Sequence, residues 1–277
     1  MRSKLFVPGS RPDFFRKALS SEADALSFDL EDAVPEEGKG SARARLATFL
    51  ASDSVRATRK TIIVRVNAPS TPHFRPDLEM LAEVRIDLIN LPKVEDADAV
   101  RAAAEIAAGI VPAQLLINLE TPRALARAAA IASAHPAIAG LQAGLNDLFA
   151  PLGIDRVDPA NVRIALWPIR IAAAEAGLFA YDGAWPEVRD ENGFRREAEL
   201  ARGMGFMGKS CVHPRQVAIA NQVFESGDAL EQARRLVEAA QAAAAQGRGA
   251  FLLDGRMIDR PEIARAEALL AHAETGR

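Results

Sequence analysis

The sequence predicts a (β/α)₈ barrel, of the TIM-barrel type, with a C-terminal helix–hairpin–helix extension. Two observations predict it. Strand-like and helix-like runs alternate through most of the chain, the pattern of a parallel sheet with crossover helices. Eight strand-like runs occur in the 277 residues, and eight units point to a closed barrel more than to an open sheet. No G-x-G-x-x-G follows the first run, which argues against dinucleotide binding.

The elements follow in order. Residues 3–7 are a short apolar run closed by Pro8-Gly9, and 12–20 have helical periodicity. Residues 25–30 form a second strand-like run, leading into Glu31-Asp32. Residues 61–66 are β-branched and close at Asn67-Ala68-Pro69, and 86–91 close at Pro92. A helix is expected at 97–108, a strand at 114–119 stopped by Glu120-Thr121-Pro122, and a helix at 125–133. The sixth strand is expected at 139–144, followed by a helix at 162–176. The seventh is expected at 178–181 and a helix at 193–204, and the eighth strand at 206–212 ends at His213-Pro214. The barrel is therefore expected over residues 1–225 and the extension, a lid or subunit contact, over 226–277. Within it, 229–246 is an alanine-rich helix, Asp254-Gly255 is a hairpin turn, and 261–272 is a last helix opened by Pro261.

Composition narrows the function. A net charge of −3 gives no field for nucleic acid. The lone Cys211 forms no internal disulfide and reads as a small buried hydrophobe. No run approaches a membrane span, and a cytoplasmic protein is expected.

In such a barrel chemistry sits at the C-terminal strand ends. Those ends carry Asp29, Glu31 and Asp32, then Arg65 and Asn67, Lys93 and Glu95, Glu120, Asp147, Asp182 and His213. Carboxylates crowded at one rim repel unless a positive charge lies between them. All-oxygen donors suit Mg²⁺ or Mn²⁺. Glu120 and Asp147, on adjacent strands, are the best pair; the alternative is a loop-start residue and a helix N-cap. Arg65 either grips a carboxylate or enolate oxygen or forms an ion pair with Glu31 or Asp32. His213 is structural or catalytic. Arg11 and Lys17 flank the first helix, where they are solvated or meet phosphate.

Several blocks in order resemble the citrate lyase β-subunit-like family, within the HpcH/HpaI aldolase/citrate lyase superfamily of malyl-CoA and citramalyl-CoA lyases. They are Leu5-Phe6-Val7-Pro8-Gly9-Ser10-Arg11-Pro12, Asp29-Leu30-Glu31-Asp32-Ala33-Val34, Val64-Arg65-Val66-Asn67 and Leu91-Pro92-Lys93-Val94-Glu95. Glu120-Thr121-Pro122, Asn146-Asp147-Leu148, Gly208-Lys209 with His213-Pro214, and Asp254-Gly255-Arg256-Met257-Ile258-Asp259 follow. The resemblance implies a barrel that forms trimers or hexamers. It implies metal ligands at Glu120 and Asp147, a substrate-contacting Arg65, CoA contacts at Arg11 and Lys17, and Pro92 among the substrate-binding residues. It implies that Asp259 reaches a neighbouring subunit's active site. The chain departs from the family at Asn146, where glutamate is usual, at Arg123-Ala124 after the Glu-Thr-Pro block, and at Trp167-Pro168.

Together these imply a retro-Claisen lyase acting on a 3-hydroxyacyl-CoA, with Mg²⁺ as cofactor and CoA as part of the substrate. Arg65 and Asp259 are its expected catalytic residues, with Glu31 and Asp32 orienting Arg65 or a water beside the metal. Rivals are a citrate lyase subunit acting on an acyl-carrier-protein thioester, a metal-dependent pyruvate aldolase, a thioester hydrolase and a non-catalytic binding subunit.

Overall fold

The computed structural model describes residues 1–225 and 227–275. Eight parallel strands close into a barrel in chain order: β1 (Ser3–Pro8), β2 (Ala25–Asp29), β3 (Thr61–Arg65), β4 (Leu88–Leu91), β5 (Gln114–Leu119), β6 (Ile138–Ala143), β7 (Phe179–Ala184) and β8 (Lys209–Cys211). β1 closes the ring, with Lys4 opposite Ala25 of β2 on one side and Ser210 of β8 on the other. Around it run α1 (Pro12–Leu19), α2 (Lys39–Leu50), α3 (Asp53–Ala57), α4 (Phe74–Leu81), α5 (Ala97–Ala108), α6 (Pro122–Ala126), α7 (Ala128–Ala132), α8 (Leu145–Phe149), α9 (Pro159–Glu175), α10 (Glu191–Gly203) and α11 (Pro214–Val223).

The helix expected at 125–133 is two short ones, broken at Arg127, whose φ of −114° and ψ of 17° leave the helical region. Thr121 starts the first by accepting from the Ala124 N–H, and Pro122 needs no donor there. The eighth strand is shorter than its apolar run. Gly208 crosses the first residues so closely that a Cβ would meet the Met1 carbonyl oxygen at 2.3 Å. Helices α2, α3 and α4 fill crossovers for which the sequence reading names no element.

Strand alternation sorts the core. Leu26, Phe28, Ile62, Val64, Ile89 and Ile117 face outward into the main apolar cluster beneath the helices. Inside the barrel, Ala25, Ile63 and Leu88 form a small separate apolar cluster. Beside it, inward positions are buried and polar: Lys4, Ser27, Asn90, Asn118 and Gln142. A barrel lumen usually carries branched apolar layers; here polar side chains lead up to the mouth.

The chain divides into two compact units, Met1–Phe224 and Glu225–Arg277. The second has α12 (Gly227–Ala244), the antiparallel pair β9 (Phe251–Leu253) and β10 (Arg256–Ile258), and α13 (Arg260–Thr275). Asp254 and Gly255 turn the hairpin with φ of 50° and 80°, the geometry for which Asp-Gly is suited. Asp259 follows β10, is exposed, and donates its N–H to Oε2 of Glu262 at 3.2 Å. No helix among the described residues is long and apolar enough to cross a membrane.

Candidate active site

The strand ends of the barrel open into a cleft of about 310 Å³. Phe6, Asp29, Asp32, Arg65, Glu120 and Asp147 are among its lining residues. A second cleft of about 440 Å³ shares Glu120, Asn146 and Asp147 with it and is also lined by Lys93.

Arg65 ends β3 and is held by three carboxylates. Its Nε and Nη2 donate to the two oxygens of Asp29 at 2.8 and 2.7 Å. Its Nη1 lies 3.0 Å from Oε2 of Glu31 and 3.2 Å from Oδ2 of Asp32. The ion-pair reading of Arg65 is the one the structure shows, with Asp29 joining Glu31 and Asp32, and the guanidinium also lines the cleft. Burial disfavours its charge, but Asp29, Glu31 and Asp32 together outweigh burial and its pKa stands raised. The Lys93 ammonium bridges the same acids, at 2.5 Å from Oε1 of Glu31 and 2.9 Å from Oδ1 of Asp32. Glu31 is pushed up by burial, against the pull of Arg65. Asp32 is held down, because its hydrogen bond from Lys93 and the charge of Arg65 outweigh burial.

Glu120 follows β5 and is 2% exposed. Its Oε1 accepts the Lys93 backbone N–H at 2.7 Å and its Oε2 accepts Nδ2 of Asn118 at 3.1 Å. Asn118 in turn accepts from Nδ2 of Asn90 at 3.0 Å, so an amide chain inside the barrel aims the carboxyl. Burial, followed by the charge of Glu31, pushes the Glu120 pKa up to about 7; Asp147 adds to the rise. Gly144 makes room for it, since a Cβ there would meet Glu120 Cβ at 2.3 Å and Oε2 at 2.9 Å. Asp147 lies in the first turn of α8 but caps nothing; Gly144 holds the N-cap position. Asp147 is exposed and has no hydrogen-bond or ion-pair partner among the described residues.

This donor set fits a hard divalent cation. Two carboxylates line one cleft, one with its pKa raised by burial and by the neighbouring Glu31 charge, the other without a protein partner among the described residues. Glu120 and Asp147 would hold it, with all-oxygen chemistry suited to Mg²⁺ or Mn²⁺.

The remaining residues sort differently. Asp182 is not at the rim: it is fully buried, 2.6 Å from Nζ of Lys209, which also reaches Oε1 of Glu197 at 2.6 Å. Asp182 shares the outward parity of Ala180 on β7, so with its register partner Lys209 on β8 it faces Glu197 of α10 beneath the helices. His213 caps α11, accepting the Arg215 N–H at Nδ1, and lines neither cleft. Cys211 is buried, its thiol pushed up to about 12 by burial. Pro92 is buried and lines neither cleft. Arg11 is exposed, paired with Asp13 at 3.0 Å and lying 4.3 Å from the Phe14 ring centroid; Lys17 approaches the same ring at 5.9 Å. Asp259 belongs to the second compact unit.

Sequence reasoning gave no role to Asp29, Asn118, Gln142 or Arg156. Asn118 and Gln142 each interrupt an apolar strand with one polar residue of inward parity, a signal that could have found them. Arg156 sits in an irregular segment with no such signal. It reaches both oxygens of Glu197, at 3.0 and 2.6 Å, the Ala184 carbonyl at 2.6 Å, and Oδ1 of Asn146.

Known proteins resemble the whole chain. It is 40% identical over 276 residues to a (3S)-malyl-CoA thioesterase of Cereibacter sphaeroides, covering 99% of this chain and 94% of the relative. It is 32% identical to an L-malyl-CoA/beta-methylmalyl-CoA lyase of the same species, covering 99% and 94%. The crystal structure of CitE from Mycobacterium tuberculosis in complex with magnesium, acetoacetate and coenzyme A matches with a TM-score of 0.78 and 33% identity, covering 99% of this chain and 100% of that one. The sequence profile of one family spans residues 2–214, and with these relatives it establishes that the chain belongs to the HpcH/HpaI aldolase/citrate lyase family.

Proposed function

We propose that this protein is a Mg²⁺-dependent carbon–carbon lyase that cleaves or forms a 3-hydroxyacyl-CoA such as malyl-CoA or citramalyl-CoA, giving acetyl-CoA and a 2-keto acid. The observation that carries the proposal is one cleft holding the carboxylates of Glu120 and Asp147 beside the Arg65 guanidinium. The lyase relative and the magnesium and coenzyme A of the CitE complex support it.

A divalent cation on Glu120 and Asp147 supplies Lewis-acid polarisation of the substrate's oxygens when bound. Arg65 stabilises the thioester enolate oxygen left by C–C cleavage. Asp29, Glu31, Asp32 and Lys93 fix the guanidinium in place, so that little reorganisation accompanies charge development. Arg11 and Lys17, around Phe14, take the phosphates and base of coenzyme A. Asp259, contributed through the extension, donates a proton to the enolate in cleavage and removes one from the acetyl methyl in condensation. A homo-oligomer, a trimer or hexamer, brings that residue to a neighbour's cleft. The exposed Val157, Ile164, Trp167 and Ile171 support such contacts.

The test is a cleavage assay on malyl-CoA and citramalyl-CoA with Mg²⁺ or EDTA, following keto acid and acetyl-CoA together. Metal-dependent appearance of both supports the lyase. Absence of turnover on any CoA ester refutes it and favours a carrier-protein thioester or free pyruvate as substrate. A second reading, thioester hydrolysis, is favoured by the name of the 40% identical relative. Release of free CoA with malate, instead of acetyl-CoA, identifies it.

A further inference from the structure

Two amides on the β6–α8 side of the cleft have their oxygens taken from behind by cationic side chains. Gln142, in β6, accepts at Oε1 from Nζ of Lys4. Asn146, in α8, accepts at Oδ1 from Nη1 of Arg156. A guanidinium or ammonium offers donors only. Each amide must give it the oxygen, so each NH₂ group turns the other way.

Both residues line the cleft that holds Glu120 and Arg65. Gln142 is only 3% exposed, yet its NH₂ nitrogen is not among the sealed, unpartnered polar atoms. Neither NH₂ donates to a protein acceptor among the described residues. Both residues thus carry an NH₂ without a protein acceptor among the described residues at the lining of the cleft.

The fixing groups are themselves held. Arg156 is pinned by both oxygens of Glu197 and by the Ala184 carbonyl, and lies 5.3 Å from the Trp185 ring. Lys4 lies 4.5 Å from the Phe6 ring and 5.4 Å from Tyr181, faces that favour an ammonium. Burial, then the charge of Arg65, lowers the Lys4 pKa, whereas arginine does not deprotonate; Asn146 is the firmer of the two. The cleft also carries the acids Asp29, Asp32 and Glu120 and, next to Asn146 in α8, Asp147, so these amides are neutral donors among carboxylates.

We propose that Gln142 and Asn146 form a two-amide donor wall that binds a carboxylate oxygen of the substrate's keto-acid half. The nature of the ligand rests on the lyase function proposed above. The wall adds two substrate-binding residues, with Lys4 and Arg156 as positioning residues.

Calorimetry with pyruvate and, separately, acetyl-CoA on Mg²⁺-loaded protein tests this. Gln142→Met and Asn146→Leu are expected to weaken pyruvate roughly 10–100-fold, the scale of a hydrogen bond to a charged group. Acetyl-CoA binding is expected to hold. Gln142→Glu keeps an acceptor for Lys4 but replaces the donor with an oxygen, and is expected to weaken pyruvate at least as much. Unchanged pyruvate binding in these variants overturns the wall, as does equal loss of both probes. If the wild type cleaves no CoA ester while the variants still lose pyruvate, the lyase function fails and the wall stands.

Discussion

The backbone N–H of Lys93 donates to Oε1 of Glu120 over 2.7 Å, from a residue held at a φ of 53°. That left-handed turn places one residue in two tasks. Its amide aims a candidate metal ligand, and its ammonium bridges Glu31 and Asp32. A side chain in this region is strained by about 1–2 kcal/mol. Lys93→Ala keeps the strain and loses the ammonium, whereas Lys93→Gly loses both. The glycine variant is expected to be the more stable by about 1 kcal/mol in urea unfolding, after its own entropy cost. Both are expected to lose turnover, because Glu31 and Asp32 lose a shared partner.

Glu120 gives a pH dependence of defined sign. Its pKa is raised from 4.5 to about 7, so the buried neutral acid stabilises the metal-free fold. That contribution is fully present below about pH 4.5 and is lost as pH rises through about 7. Metal binding runs the other way and is expected to weaken by roughly tenfold per unit below pH 7, since the cation competes with the proton. Thermal melts with and without Mg²⁺, for wild type and Glu120→Gln, check both trends. The glutamine variant is expected to flatten them, and Glu120→Ala to abolish metal-dependent turnover with the fold intact.

Gly144→Ala probes the space around Glu120. The added Cβ would stand 2.3 Å from Glu120 Cβ, a distance that forces a shift. Loss of Mg²⁺ affinity by at least tenfold is expected, read by titration calorimetry. An alanine variant with native affinity would mean that Glu120 is not a ligand.

Lys209→Met isolates the buried charge cluster. The ammonium is fully buried between Asp182 and Glu197. Removing it leaves the buried Asp182 carboxylate without its partner, while Glu197 keeps Arg156, and about 3–5 kcal/mol of stability is expected to go. Urea unfolding measures this directly.

Asp259→Asn tests the proton-transfer role. The residue is exposed, so stability is expected to hold while kcat falls ~10²–10⁴-fold, the scale of a lost acid–base group. A kcat within twofold of wild type would remove Asp259 from the chemistry.

The barrel was legible from the chain alone, because eight local periodicities and their stop signals are properties of short segments. The helix at 97–108 and the strand at 114–119 match the structure residue for residue. Carboxylates and Arg65 at strand ends were legible for the same reason, since barrel topology converts chain position into place. Tertiary structure decided the partners. Nothing local says that Asp29, more than Glu31, grips Arg65 with both oxygens. Nothing local says that Asp182 lies beside Lys209, or that Arg156 reaches Asn146. Hydrophobic patterning acts within a segment, whereas side-chain pairing depends on register and tilt between strands far apart in the chain. Those are fixed only when the barrel closes.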